Sequence, residues 1–135
     1  MPYILKFPYL TIFVIVKSDK MKVEEKDKLI LITNDDGLYA AGLKVLSSVM
    51  EEFGKVVVIS ATESRSGMSQ ALTVKEPLRV KLLEETENHR IYACSGTPTD
   101  GVKLANNQLL ERRPDLLVSG INHGSNASVS VLYSG

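Results

Sequence analysis

The sequence is short of cysteine, of net charge and of long apolar runs, and each shortage narrows what the chain can be. Cys94 is the one cysteine in 135 residues. A lone thiol excludes an intramolecular disulfide framework and a multi-thiolate zinc site. It sits in the apolar run Ile91-Tyr92-Ala93-Cys94, where a small buried thiol fits better than a nucleophile. Lys and Arg number 16 and Asp and Glu 16, so no basic footprint argues for nucleic acid or an anionic membrane. The apolar stretch from Tyr3 to Val16 is broken by Lys6 and Pro8, and it is shorter than the ~20 residues that span a bilayer. It carries neither the early positive cluster nor the small-residue cleavage site of a signal peptide. What remains is one globular domain, and its single cysteine fits a reducing, cytoplasmic setting.

Residues 1–28 differ in character from the rest and are set apart as a leader and linker. The leader is apolar, and the run Lys17 to Lys28 mixes both charges as a solvated linker does. Met21 within that run is a candidate natural start. Ordered patterning begins at Leu29-Ile30-Leu31-Ile32, four apolar residues that read as a strand buried on both faces of a parallel sheet. The strand stops at Thr33-Asn34-Asp35-Asp36-Gly37. Ligands bind beyond the carboxyl ends of such strands. Two adjacent acids there repel each other unless a cation lies between them, which suits a hard, oxygen-liking metal; a simple strand-to-helix turn is the alternative.

Leu38, Leu43, Val45, Leu46, Val49, Met50 and Phe53 recur at helical spacing, with Gly54 as the stop. Lys55 to Ser60 is a second β-branched strand, completing a βαβ unit. The polar loop Ala61 to Gln70 leaves that strand on the same rim as the two acids. Three alternating runs, Ala71–Lys75, Leu78–Leu83 and Arg90–Cys94, predict an antiparallel hairpin excursion. Gly96-Thr97-Pro98 opens a second helix, whose N-terminus serves either as an anion site or as a simple cap. Pro114 to Gly120 is a third buried strand. Asn122 and Asn126 follow it with neutral oxygens apt for metal or phosphate, and His123 is a candidate acid or base or a plain surface group.

Five pieces together resemble the SurE family, from about Leu29 to Gly135. They are Thr33-Asn34-Asp35-Asp36-Gly37, Arg65-Ser66-Gly67-Met68-Ser69, Gly96-Thr97-Pro98-Thr99-Asp100, Val118 through Asn126, and the closing Tyr133-Ser134-Gly135. The resemblance implies an α/β fold, a Rossmann-like mostly parallel sheet with a β-hairpin excursion, C-terminally incomplete. It implies a 5′-nucleotidase that removes phosphate from nucleoside 5′- and 3′-monophosphates with Mg2+ or Mn2+. By match to the motifs, Asp35, Asp36, Ser66 and Asn122 are the metal ligands, and Asp35 and Asp36 are catalytic. Asn34, Ser69, Gly124, Asn126 and Ser134 are the phosphate and substrate residues. The family forms homo-oligomers, dimers or tetramers.

Gly101 stands where the family commonly has Cys, and family chains continue past the closing Ser-Gly. The expectation is therefore a truncated N-terminal half with little activity on its own. The ligand chemistry points to metal-assisted attack of water on phosphorus. An aspartyl-phosphate is the chemical alternative, disfavoured because the acids are adjacent rather than spaced Asp-x-Asp. The rival readings are a non-catalytic nucleotide-binding module on the same frame and an inactive fragment.

Overall fold

In the computed structural model, residues 2–7, 10–16, 27–62 and 77–123 are described. The apolar run beginning at Leu29 forms β3 (Leu29–Thr33), the central strand of a seven-stranded sheet. Two strands precede it, β1 (Pro2–Phe7) and β2 (Leu10–Val16). After it come α1 (Ala41–Met50), β4 (Lys55–Ala61), β5 (Val80–Glu85), β6 (His89–Cys94), α2 (Pro98–Leu104) and β7 (Leu116–His123). The strand order is β1-β2-β7-β3-β4-β6-β5. β7, β3, β4 and β6 are mutually parallel, and the outer pairs are antiparallel. The architecture is therefore α/β with a mostly parallel sheet.

Alternation along β3 explains why all of its apolar residues are needed. Ile30 and Ile32 pack on one face with Leu43 and Leu46 of α1, Val56, Val58 and Val118. Leu31 packs on the opposite face with Val57, Ile59, Cys94 and Ala105. Burying each such Ile or Leu contributes about 1.5–3 kcal/mol. A strand covered on both faces has no position left for a polar residue until it ends. Cys94 belongs to this second cluster as a buried free thiol.

The first helix is shorter than its periodicity suggests. It begins at Ala41, because Leu38 and Tyr39 are taken up in the turn that leaves β3, and residues 51–53 are a turn. Only a stripe of the helix meets the sheet, so Leu43, Leu46 and Ser47 are buried while Val45, Val49 and Phe53 stay exposed. Ser47 is held by the far end of β6: its Oγ lies 3.0 Å from His89 Nε2, and His89 Nδ1 lies 3.3 Å from Glu51 Oε1.

Two parts of the chain are arranged differently from the expectation. The hairpin is present as β5 and β6, but it is built into the sheet, since β6 runs parallel to β4 from Val56↔His89 to Ala61↔Cys94. The run Ala71–Lys75 lies outside the described residues. Within residues 1–28, set apart as leader and linker, residues 2–7 and 10–16 are strands. β2 extends the sheet by pairing antiparallel with β7, from Leu10↔His123 to Val16↔Leu116. Its β-branched and aromatic residues (Thr11, Ile12, Phe13, Val14, Ile15, Val16) suit an added strand, and β7 otherwise offers an open ladder edge. Among the described residues, no helix is long and apolar enough to cross a membrane.

The approach of α1 to β7 depends on Gly42. A Cβ there would lie 2.6 Å from the carbonyl oxygen of Ile121 and 2.9 Å from its Cβ. Alanine is ordinarily favoured over glycine in a helix, by at most roughly 1 kcal/mol in the interior and so by no more than that at this first-turn position. Here a backbone carbonyl cannot swing aside, so the collision outweighs that gain. Gly42→Ala is expected to lower stability by about 1–3 kcal/mol, measured as a lower urea midpoint at unchanged slope; a stabilised variant would show that the helix sits farther from β7.

Candidate active site at the carboxyl ends of the parallel strands

The acids sit where β3 ceases to be hydrogen-bonded on both sides. Thr33 is in register with Ser119 of β7, and Ile32 with Val58 of β4. Adjacent strands are about 4.8 Å apart, so the carboxyl ends of β4, β3 and β7 open onto one rim. Asn34, Asp35 and Asp36 emerge at its centre, and Asn122 lies three residues beyond Ser119 on the same rim. Thr62, the last described residue before the segment of sequence that contains Ser66 and Ser69, directly follows the end of β4.

The turn itself is tightly specified. Gly37 has φ 92°, a left-handed conformation that side-chain-bearing residues rarely adopt. Its carbonyl accepts a hydrogen bond from Ala40 N at 3.2 Å, which starts α1, and one from Asn34 Nδ2 at 2.9 Å. Ser60 Oγ of β4 donates to Asn34 Oδ1. Asn34 is 0% exposed. Its carboxamide, read from the sequence as a substrate contact, is thus directed at protein and braces the turn from beneath. Ser60 escaped the sequence reading; the one available signal was a hydroxyl in an otherwise apolar strand, at the position before the strand's end.

Asp35 and Asp36 are each partly buried. Burial pushes the Asp35 carboxyl above its ordinary value, and the neighbouring Asp36 carboxylate adds to the rise, against a lowering contribution from the backbone. Two negative groups in reduced dielectric, with only oxygen donors, are the environment that a hard divalent cation stabilises. The donor set fits Mg2+ or Mn2+. Among the described residues, no group of three or more His, Cys, Asp and Glu side chains forms a metal cluster.

Of the other sequence candidates, two are described through their backbones alone. The backbones of Asn122 and His123 are on β7. Ser66, Ser69, Gly124, Asn126 and Ser134 lie outside the described residues. The helix opened by Thr97 resolves in favour of capping. Asp100 N donates to Thr97 Oγ1 at 3.2 Å, and Thr97 N donates to Asp100 Oδ2 at 2.9 Å, a reciprocal capping box. The Asp100 carboxylate already occupies the place an anion would take.

Comparison with known proteins bears on this geometry. The family model for Survival protein SurE matches residues 30–135. A protein described as 5'-nucleotidase SurE from Christiangramia forsetii is 48% identical over 115 residues, covering 84% of this chain and 44% of that protein. One of the same description from Flavobacterium johnsoniae is 49% identical over 114 residues, with the same coverage of 84% and 44%. The crystal structure of a SurE protein from Aquifex aeolicus superposes with a TM-score of 0.67 at 34% identity, covering 78% of this chain and 42% of the other. The chain spans less than half the length of the curated relatives it matches. The hairpin β1–β2 precedes the matched residues.

The raised proton affinity of Asp35 has a definite sign. A carboxyl whose folded value exceeds its unfolded one adds stability below the unfolded value, and that contribution is lost as pH rises through the folded one. In the metal-free chain the ionised Asp35 therefore weakens the fold at neutral pH. Asp35→Asn is expected to melt higher than wild type at pH 7 in chelator, with the difference closing as pH falls into the carboxylate range. Equal melting temperatures at pH 7 would remove the electrostatic basis of the site.

Proposed function

Taking membership of the SurE family as given, since its model spans residues 30–135, we propose that this chain carries the metal-binding rim of a phosphomonoesterase acting on nucleoside 5′- and 3′-monophosphates. The observation that supports it most directly is the acid doublet, half-buried at the end of the central strand and flanked on both sides by parallel strand ends. Asp35 and Asp36, with Ser66 and Asn122, would hold Mg2+ or Mn2+. When bound, that cation supplies charge for a phosphoryl oxygen and acidifies a water. Asp35 or Asp36 would orient the attacking water and accept its proton, and the proton would pass on to the nucleoside oxygen, which leaves as a hydroxyl when its bond to phosphorus breaks. Gly124, Asn126, Ser69 and Ser134 bind the phosphate, the first through its backbone amide. Asn34 takes no part in contact and instead positions the doublet.

The formal neutrality of the chain supports a small-molecule substrate over nucleic acid or a membrane surface. In this reading the protein works in the cytoplasm as a homo-oligomer. The relatives described as 5'-nucleotidases support the choice of substrate class.

The test uses the purified chain with nucleoside 5′- and 3′-monophosphates, in Mn2+ and in chelator. Cation-dependent phosphate release, low for this chain on its own, is expected, and Asp36→Asn should reduce it by roughly 100-fold or more, in line with removing a charged group that stabilises a transition state. Release that persists in chelator, or that Asp36→Asn leaves unchanged, would overturn the assignment.

A further inference from the structure

The sheet places a polar pair beneath the acids, and among the described residues its side-chain hydrogen bonds run to the turn that carries them. Asn34 is 0% and Ser60 2% exposed. On β3, Ile30 and Ile32 face α1, so Asn34 faces α1 as well; on β4, Val56 and Val58 do the same, which places Ser60 on that face. The parallel register Ile32↔Val58, carried two residues further, sets Asn34 opposite Ser60. The hydrogen bond from Ser60 Oγ to Asn34 Oδ1 is therefore a side-chain rung that prolongs the ladder after its backbone rungs have ended. One residue later on β4, the Ala61 carbonyl accepts from Leu38 N at 2.8 Å. Consecutive residues of one strand thus grip the two ends of the segment 34–38. Inside that grip, Asn34 Nδ2 reaches the Gly37 carbonyl at 2.9 Å and crosses the base of the loop bearing Asp35 and Asp36.

We infer that Ser60 is a positioning residue: through Asn34 it sets the conformation of the Asp35–Asp36 turn and hence the cation affinity of the doublet. The inference rests on the cation site proposed above, but its mechanical part stands without it. Ser60 is buried and spends its hydroxyl proton on Asn34, so its part is to position and not to ligate. Its hydroxyl supplies the donor for the buried Asn34 carbonyl, which leaves the carboxamide N–H oriented at Gly37. An alanine there leaves the Asn34 oxygen buried without that donor, and the amide group loses the partner that fixes its orientation. Groups that orient metal ligands typically change metal affinity by about 10–100-fold when removed.

The experiment compares the full chain with Ser60→Ala, Ser60→Thr and Val58→Ala. Val58 is buried one rung below on the same face and has no polar link to the turn, so Val58→Ala loosens the core alone. Two readouts are taken: Mn2+ affinity by electron paramagnetic resonance, and amide hydrogen exchange across residues 35–38 in chelator. Ser60→Ala is expected to weaken Mn2+ binding roughly tenfold or more and to speed exchange in 35–38. Ser60→Thr keeps the donor and should stay close to wild type in both, and Val58→Ala should lower the melting temperature without changing Mn2+ affinity. The inference is overturned if Ser60→Ala matches wild type in exchange across 35–38, or if Val58→Ala weakens Mn2+ binding as much as Ser60→Ala does. If no form of the chain, wild type included, binds Mn2+ while Ser60→Ala still loosens 35–38, the brace stands and the cation reading falls.

Discussion

The parallel pairing of β3 between β4 and β7 is the constraint on which the rest depends. Strands running the same way must finish at the same edge, so three chain segments distant in sequence deliver their next residues to one rim. The acid doublet and the polar pair that braces it lie in the few residues around the point where those ladders stop. The apolar faces of β3 secure the arrangement, because α1 and α2 cover opposite sides and leave no alternative burial for Ile30, Leu31 and Ile32. A shift of one residue would turn each of those side chains to the wrong helix.

The same geometry creates a stress that the chain resolves locally. A buried strand end has backbone and polar side chains with nowhere to go, and two carboxylates add charge to the difficulty. The turn answers with a glycine in a left-handed conformation, a carbonyl shared between Asn34 and Ala40, and two grips from the end of β4. The turn sets the two acids side by side despite their mutual repulsion, which contributes to the raised proton affinity of Asp35. α1 completes the rim from above: it starts as soon as the turn ends, and Gly42 lets it lie against Ile121, next to Asn122.

The outer strands show how the sheet manages its edges. β7 is the strand that bears Asn122, and its far side is paired with β2 in an antiparallel ladder. On the other flank, β5 closes β6. Parallel pairing is confined to the middle, where helices cover both faces, and antiparallel strands finish the sheet on each side. Membership of the SurE family accounts for the middle, since the matched residues begin at Ile30 and so leave out β1 and β2.

The residues themselves determined a good deal. The buried strands at Leu29 and Lys55, the pairing of Arg90–Cys94 with the run before it, the cap at Thr97 and the acid doublet at a strand end follow from periodicity and turn chemistry within a few residues of each feature. Such features are local, and local energetics suffices to read them. Tertiary structure alone decided that β6 lies beside β4, that residues 10–16 pair with β7 rather than stand apart, and that Asn34 looks down at Ser60 rather than out at a ligand. Those outcomes depend on register between segments far apart in the chain: Asn34 and Ser60 are 26 residues apart, and nothing near either one specifies the other. A side chain's own neighbours in sequence can say that it is polar and that it ends a strand. Only the strand packed alongside determines which way it faces.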